Sequence, residues 1–329
     1  MKHLAFAAAL ALAPLGAGAG SLGPYSDFFV FGDSLSDPGN VLGSLAAPGS
    51  PLASRYPEGQ FTDGDTWATQ LGADLVSGTN FAFGGATAVQ QGEFAIDLPG
   101  GPYTVDVPDF IDQRALFAPL APTLGANPLA AVWFGGNDLR DAFRAPDPGA
   151  ATAAAIGGAV AQIVAGVQDL IGAGLRTVAV VGLPDLGRIP EVMALGSAAS
   201  AAATGATTAF NATLQAGLNG VTGGQVRYVD IFGLFAAVQA DGAAYGLTNT
   251  ATPCLADLLA GAVGDCGGYL FYDTIHPTEQ AHALIAERFV ATVAPVPLPA
   301  GGALLIAGLG GFALVRRRRA DGPAPIHAA

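Results

Sequence analysis

Ser34 lies in the run FGDSLSDPGN (residues 31–40), and Asp273 and His276 lie three residues apart in DTIHPT (273–278). A serine hydroxyl is a weak nucleophile. It needs a base within hydrogen-bond reach and a third group to orient that base. Of the four histidines, His3 falls in an apolar leader and His327 lies beyond an arginine cluster, which leaves His276 and His282. His282 falls inside the last predicted helix, where a packed or solvent-facing imidazole is the plain expectation. His276 sits in a loop before Pro277, and its spacing lets Asp273 accept the Nδ1 proton. Nε2 is then free to take the proton from Ser34. Attack on an acyl carbon builds an oxyanion that requires donors. The backbone N–H groups of Ser34 and of Gly85, in NFAFGGAT (80–87), can supply two, because glycine permits close approach. Gly84 is the alternative to Gly85. The side-chain amide of Asn137, in FGGND (134–138), can supply a third. The chemistry is acyl transfer through Ser34, and it calls for neither metal nor cofactor.

Each residue also has a structural reading. Ser34 can cap a turn, Asp33 and Asp37 can cap or bend a loop, Gly84-Gly85 can form a tight turn, and Asp273 and His276 can pair at a helix start. Four such coincidences on one rim are harder to accept than a site. Rival chemistries lack parts. Lys2 is the only lysine, which removes Schiff-base, Ser–Lys and P-loop mechanisms. Asp63-Gly64-Asp65 is a fragment of a Ca²⁺ loop without its closing glutamate, and is read as a plain loop. Asn211-Ala212-Thr213 matches a glycosylation sequon within a predicted helix. Cys254 and Cys266 are the only cysteines. In an exported chain such a pair is read as a disulfide, and two thiolates are too few for a metal site.

The elements that must position these groups alternate. Residues 28–31, 79–83 (the weakest), 130–134, 177–181 and 226–231 read as short strands. Most are continuous apolar runs, as in a parallel sheet covered on both faces. Helical stretches fall at 65–75, 108–117, 150–173, 198–218 and 278–293. The alternation predicts an α/β sandwich with right-handed crossovers. Ligands in such folds sit at the carboxyl ends of strands, where the four motifs fall. The Gly- and Pro-rich loops at 42–60 and 90–107 border that rim. Phe94, Tyr103 and Phe110 can line an acyl site or serve as core.

The 329-residue chain is 51% hydrophobic and 12% charged, with a formal net charge of −13. That charge argues against nucleic acid and against docking on anionic lipid. The greasiness is concentrated at the ends. Residues 1–19 read as a secretory signal peptide, with Lys2, an apolar run and Ala17-Gly18-Ala19. Residues 298–315 form an uncharged stretch, roughly 27 Å long as a helix. Pro295, Pro297 and Pro299 precede it and Arg316–Arg319 follow. This order predicts a membrane segment with the bulk of the chain outside. The last residues, 320–329, form a short tail. Residues 20–297 carry 25 acidic residues against 8 arginines, a formal charge of −17, which favours solubility outside the cell and uncharged esters over anionic ones.

The motifs resemble, in family order, those of the GDSL or SGNH hydrolases: GDSL at 32–35, Gly85 (or Gly84), Asn137 in GGND, and Asp273 and His276 as DxxH. FGDSLSDPGN and NFAFGGAT are similar to the branch of secreted bacterial esterases, haemolysin-like phospholipases and plant GDSL lipases, and no G-x-S-x-G elbow occurs. The resemblance covers roughly residues 26–294. It implies a three-layer, flavodoxin-like α/β/α sandwich with a central five-stranded parallel sheet, and a carboxylesterase or lipase acting through Ser34. A phospholipase or a polysaccharide O-acetylesterase of the same fold is the alternative, and a catalytically silent, surface-anchored binding module is the alternative of another class. VPLPA at 296–300, with the apolar helix and arginines after it, resembles PEP-CTERM sorting tails. That implies transient membrane tethering, a sorting protease as partner, and a periplasmic, cell-surface or extracellular destination.

Overall fold

The computed structural model describes residues 22–45, 55–56, 58–89, 93–98 and 101–294. The signal peptide read at 1–19 and the tail read at 295–329 lie outside the described residues. The chain divides into two compact units, Met1–Val293 and Ala294–Ala329. In order, the first contains β1 (Asp27–Gly32), α1 (Asn40–Leu45), α2 (Trp67–Gln70), β2 (Glu93–Leu98), β3 (Gly101–Asp106), α3 (Phe110–Phe117), β4 (Pro128–Trp133), α4 (Gly136–Arg144) and α5 (Pro148–Gly172). It continues with β5 (Thr177–Val181), α6 (Pro190–Met193), α7 (Ser197–Leu218), β6 (Gln225–Val229), α8 (Ile231–Ala240), β7 (Asn249–Pro253), α9 (Cys254–Leu259), β8 (Tyr269–Phe271) and α10 (Glu279–Val293).

Strands β1, β4, β5 and β6 form one parallel sheet in that order. Every residue of β4 and β5 is buried, which is why they read as unbroken apolar runs. Successive side chains of a strand point to opposite faces, and β1 shows both. Phe29 and Phe31 pack on Phe117 of α3, and Phe31 also meets Phe110. Phe28 meets Trp67 of α2 and Phe289 of α10. Helices therefore cover both faces, giving an α/β/α arrangement. The Ala-rich α5 turns Ala159, Ile163, Gly166, Val167 and Leu170 inward. At Gly166 a Cβ would stand 2.2 Å from the Phe110 ring, so glycine lets α5 and α3 meet.

Among the described residues the central sheet has four strands, not the five expected. Residues 79–83 run beside β1 and exchange hydrogen bonds with it (Val30 N to Thr79 O, 3.0 Å; Phe81 N to Val30 O, 2.8 Å; Phe83 N to Gly32 O, 3.1 Å). They form only an isolated bridge at Asn80. The reason is Asn80, whose Oδ1 accepts from the Ala82 N–H at 3.0 Å while its Nδ2 donates to Ser36 O and Ala73 O. A side chain that bonds the backbone two residues on makes a turn where a ladder would continue. The strand expected through Ile231 stops at Val229, because Asp230 caps α8 by accepting from Gly233 N at 2.8 Å. Within the stretch expected as a loop at 90–107, residues 93–98 and 101–106 pair as an antiparallel hairpin, β2–β3, and residues 136–144, which the sequence assigns to no element, are helical.

The tip of β1 is held from below by Gln113 of α3, which is fully buried. Its Oε1 accepts from Gly32 N at 2.9 Å, and its Nε2 donates to Gly32 O at 2.8 Å and Pro108 O at 2.9 Å. Replacing Gln113 with Leu leaves the Gly32 N–H unpaired and takes one donor from Gly32 O and from Pro108 O, at about 1–3 kcal/mol for each buried group left without a partner. The expected outcome for Gln113→Leu is a loss of roughly 2–4 kcal/mol in urea unfolding, read as a lower midpoint at unchanged slope.

Candidate active site

The loop after β1 is organised by two buried aspartates. Asp33 accepts from Leu35 N at 3.0 Å and turns the chain so that Ser34 stands at the strand tip. Asp37 accepts from Gly39 N (2.8 Å), Asn40 N (2.6 Å) and Val41 N (3.3 Å), capping α1. Its Oδ2 also accepts from Gly84 N at 2.7 Å. That bond ties the serine loop to the glycine loop and occupies the Gly84 N–H. Gly85, with φ of +85°, presents the next N–H. Among the described residues neither the Ser34 nor the Gly85 N–H has a protein acceptor.

Ser34, His276 and Asp273 are brought together. His276 Nε2 lies 2.8 Å from Ser34 Oγ, and His276 Nδ1 lies 2.7 Å from Asp273 Oδ2. An ionised carboxylate can only accept, so Nδ1 carries the proton and Nε2 accepts from the serine hydroxyl. The other carboxylate oxygen accepts from the Ile275 and His276 backbone N–H groups at 2.8 and 2.7 Å. Burial opposes the charge on Asp273, but the adjacent His276 and these N–H donors outweigh it and hold the carboxyl at about 2. A fourth donor was not expected from the sequence: Tyr56 OH bonds Asp273 Oδ2 at 2.8 Å. Burial pushes the Tyr56 phenol up, and the Asp273 charge adds to this, so it remains a donor. Tyr56 sits in a Gly/Pro-rich stretch with no periodicity, so nothing in the local sequence singles it out. Phe61 completes the surround, its ring 5.2 Å from that of His276.

Asn137 comes from the β4 end. It lies in the first turn of α4, whose N-cap Gly135 has φ of +112°. A Cβ at Gly135 would stand 2.2 Å from the Phe210 ring, so both the dihedral and the space demand glycine. Asn137 Nδ2 donates to Ala86 O at 3.0 Å. Asp138 accepts from Ala88 N at 3.0 Å and Val89 N at 3.3 Å, which fastens α4 to the glycine loop.

Ser34, Gly85, Asn137, Asp273 and His276 line one open cleft of about 780 Å³, whose outer wall includes Arg55, Leu255 and Leu259. A second, smaller pocket of about 30 Å³ opens at Ser34, is bordered by Asp33, Asn137 and Arg140, and is otherwise walled mainly by apolar side chains such as Leu183, Phe235 and Phe271. Of the remaining candidates, those whose side chains are described lie elsewhere. Phe110 is buried in the core against Phe134. Phe94 and Tyr103 lie on β2 and β3, whose side chains are outside the described residues. His282 is fully buried in α10, and burial pushes its pKa down to about 3. Asp63 accepts from Glu279 N and Asp65 accepts from Gln60, both as loop fasteners. Asn211 is buried and bonds Leu183 N and O. Cys254 and Cys266 are joined as a disulfide.

The GDSL-like lipase/acylhydrolase family profile matches residues 28–289. The chain is 32% identical over 177 residues to a protein named Lipase 1 of Photorhabdus luminescens, spanning 51% of this chain and 24% of that protein. It is 26% identical over 328 residues to phosphatidylcholine-sterol acyltransferase of Aeromonas hydrophila, spanning 80% of this chain and 88% of that protein. A GDSL esterase/lipase of Arabidopsis thaliana is 26% identical over 333 residues, spanning 79% and 85%.

The buried Asp33 carboxyl generates a test. Burial raises its pKa to about 7, against 3.8 for a free side chain, despite the opposing Leu35 N–H bond. Between these values the folded state keeps a proton that the unfolded chain releases, so stability falls as pH rises through this window. Asp33→Asn has no proton to lose. The stability of Asp33→Asn relative to wild type is therefore expected to grow from about pH 4 to about pH 7 and then level off. Denaturant unfolding at several pH values checks this, and a constant difference would refute it.

Proposed function

The chain belongs to the GDSL-like lipase/acylhydrolase family and is an ester-acting hydrolase, and from that premise we propose an exported serine hydrolase that works through an acyl-enzyme on Ser34. The carrying observation is the bonded series Ser34–His276–Asp273 beside two open backbone N–H groups. Ser34 Oγ attacks the ester carbonyl carbon while His276 Nε2 takes its proton. The tetrahedral oxyanion is held by the Ser34 and Gly85 N–H groups and by the Asn137 amide. The intermediate collapses by breaking the bond to the alcohol oxygen, which leaves with the proton from His276. Water, deprotonated by His276, then attacks the acyl carbon, and Ser34 recovers its proton. Asp273 keeps the imidazole in the required tautomer.

The two cavities support a division of the substrate. His276 lines the large cleft and not the small pocket. The leaving alcohol must lie next to the acid that protonates it, so the cleft takes the alcohol and the apolar pocket the acyl group. One water requires about 10–15 Å³ of such space. A pocket of about 30 Å³ therefore suits about two carbon atoms, an acetyl or propionyl group. The cleft is open enough for a bulky alcohol, such as an acylated sugar. Export is supported by the signal-peptide layout and by the disulfide, which persists in oxidising compartments. In this reading the C-terminal segment tethers the chain until a sorting protease cuts near 296–300.

Purified wild type is expected to hydrolyse p-nitrophenyl acetate and to react with a fluorophosphonate probe, and Ser34→Ala is expected to lose at least about 10³-fold in kcat and all labelling. Retained turnover in Ser34→Ala would sink the mechanism, and absence of both activity and labelling in wild type would favour a binding module. Rates are expected to fall along a series from acetyl to decanoyl esters; a rise would point instead to a lipase or phospholipase. Mass spectrometry of the mature protein tests the tail, since an intact Arg316–Arg319 would exclude cleavage.

A further inference from the structure

An amide that stabilises an oxyanion works only if it presents nitrogen rather than oxygen to the reacting centre. Rotation of the Asn137 side-chain amide by half a turn would place a lone pair there and repel the developing charge. Ala86 O accepts one Nδ2–H of Asn137 at 3.0 Å. From the other side, Arg140 Nη1 donates to Asn137 Oδ1 at 3.2 Å. A guanidinium has donors only, so the atom it meets must be the oxygen. The second Nδ2–H is left facing the cavity shared with Ser34.

Arg140 is itself held by a fork. Its Nε and Nη2 bond the two carboxylate oxygens of Glu191 at 2.9 and 3.1 Å. Arg144 Nη2 adds a bond to Glu191 Oε1 at 2.7 Å. Both partners of the fork are largely screened from water, with side-chain exposures of 15% for Arg140 and 29% for Glu191. Glu191 also reaches the other half of the site, since its N–H donates to Thr274 O at 2.9 Å within the Asp273–His276 loop. The spacing is helical. Residues 137, 140 and 144 fall on one face of α4, so a single turn carries the amide and the cation that orients it. Hydrogen bonds in series polarise one another, and a cation on Oδ1 makes the opposite N–H a stronger donor.

We propose that Arg140 is a positioning residue for the reaction: gripped by Glu191, it locks the Asn137 amide with Nδ2 toward the acyl oxyanion and strengthens its N–H. This rests on the serine-hydrolase reading above. Arg140 borders both cavities, but the bond through which it acts on the oxyanion is the one to Asn137, so its effect on kcat passes through that amide. A residue that merely supported the fold would act whether or not Asn137 were present.

The test is a double-mutant cycle on p-nitrophenyl acetate with Arg140→Met, Asn137→Ala and the pair. Removing one oxyanion donor outright costs about 10²–10³ in kcat, so disorienting it is expected to cost about 10–100-fold. Arg140→Met is expected to lower kcat by that factor with KM changed less than about twofold, and to cost less than about threefold once Asn137 is Ala. Glu191→Gln is expected to follow with a smaller loss, also abolished in the Asn137→Ala background, and it decides the matter if Arg140→Met fails to fold. Equal losses in both backgrounds, with wild type active, would overturn this inference alone. A wild type that neither hydrolyses esters nor takes the fluorophosphonate label would overturn the functional reading and this inference together.

Discussion

Asp37 makes the bond on which the rest of the site depends. A parallel sheet ends in loops whose backbone N–H groups point at one another with no strand to receive them. Four of these, from Gly39, Asn40, Val41 and Gly84, converge on one buried carboxylate. Three belong to the serine loop's continuation and the fourth to the glycine loop, so two segments far apart in sequence are fixed to a common point. The clamp also sorts the glycine donors: Gly84 is spent on structure and Gly85 faces the cleft. Gln113, Asn80 and Asp138 repeat the device below, beside and across the rim. Buried side chains thus meet the demands of most loop backbone while a few N–H groups at the serine stay open.

Burial and hydrogen bonding divide the carboxylates around Ser34 into two kinds. Asp273 takes four donors, one of them the His276 ring, and stays ionised far below neutral pH. Asp33 and Asp138 are as deeply placed, but burial prevails over fewer donors and lifts them to about 7 and about 6. Asp37 is lifted to about 6 by burial even against its four N–H partners. The only carboxylate held low in this group is the one bonded to an imidazole. Asp273 therefore keeps its negative charge behind His276 at acidic as well as neutral pH, where it stabilises an imidazolium. Arg140 contributes the opposite sign at Asn137.

Legibility in the sequence followed burial symmetry. Strands β4 and β5 are buried throughout and β1 along most of its length, and that demand leaves apolar runs that declare themselves, whereas β6 is mostly half-buried and carries Gln225 and Arg227. The 79–83 segment carries a similar run, yet Asn80 turns its side chain onto its own backbone and the ladder stops. The β2–β3 hairpin lies in a stretch whose glycines and prolines suggest loop, although β-pairing tolerates them at its ends. Helix α4 opens with Gly135-Gly136, poor helix formers that serve here as a left-handed cap and its first residue. The serine, the aspartate–histidine pair and the asparagine were visible because each lies in a short motif at a strand end. Tyr56, Gln113 and Glu191 were not, because each reaches the site from a segment distant in sequence, and Arg140, although one turn from Asn137, is fixed by Glu191 at a separation of 51 residues.

Residue types and their local spacing determined the kind of chemistry, the α/β alternation and the rim on which the groups fall. These are properties of neighbours along the chain: a histidine three residues from an aspartate shares one turn with it, and a strand buried on both faces must be apolar throughout. Tertiary structure alone decided which glycine is open, which way the Asn137 amide turns, how many donors share Asp273 and how much room lies behind Ser34. Each of those depends in part on groups that pair across tens to hundreds of residues, as Asn137 does with Ala86, Asp273 with Tyr56, and Ser34 with His276 at a separation of 242. No local pattern encodes a contact whose partners are chosen by packing.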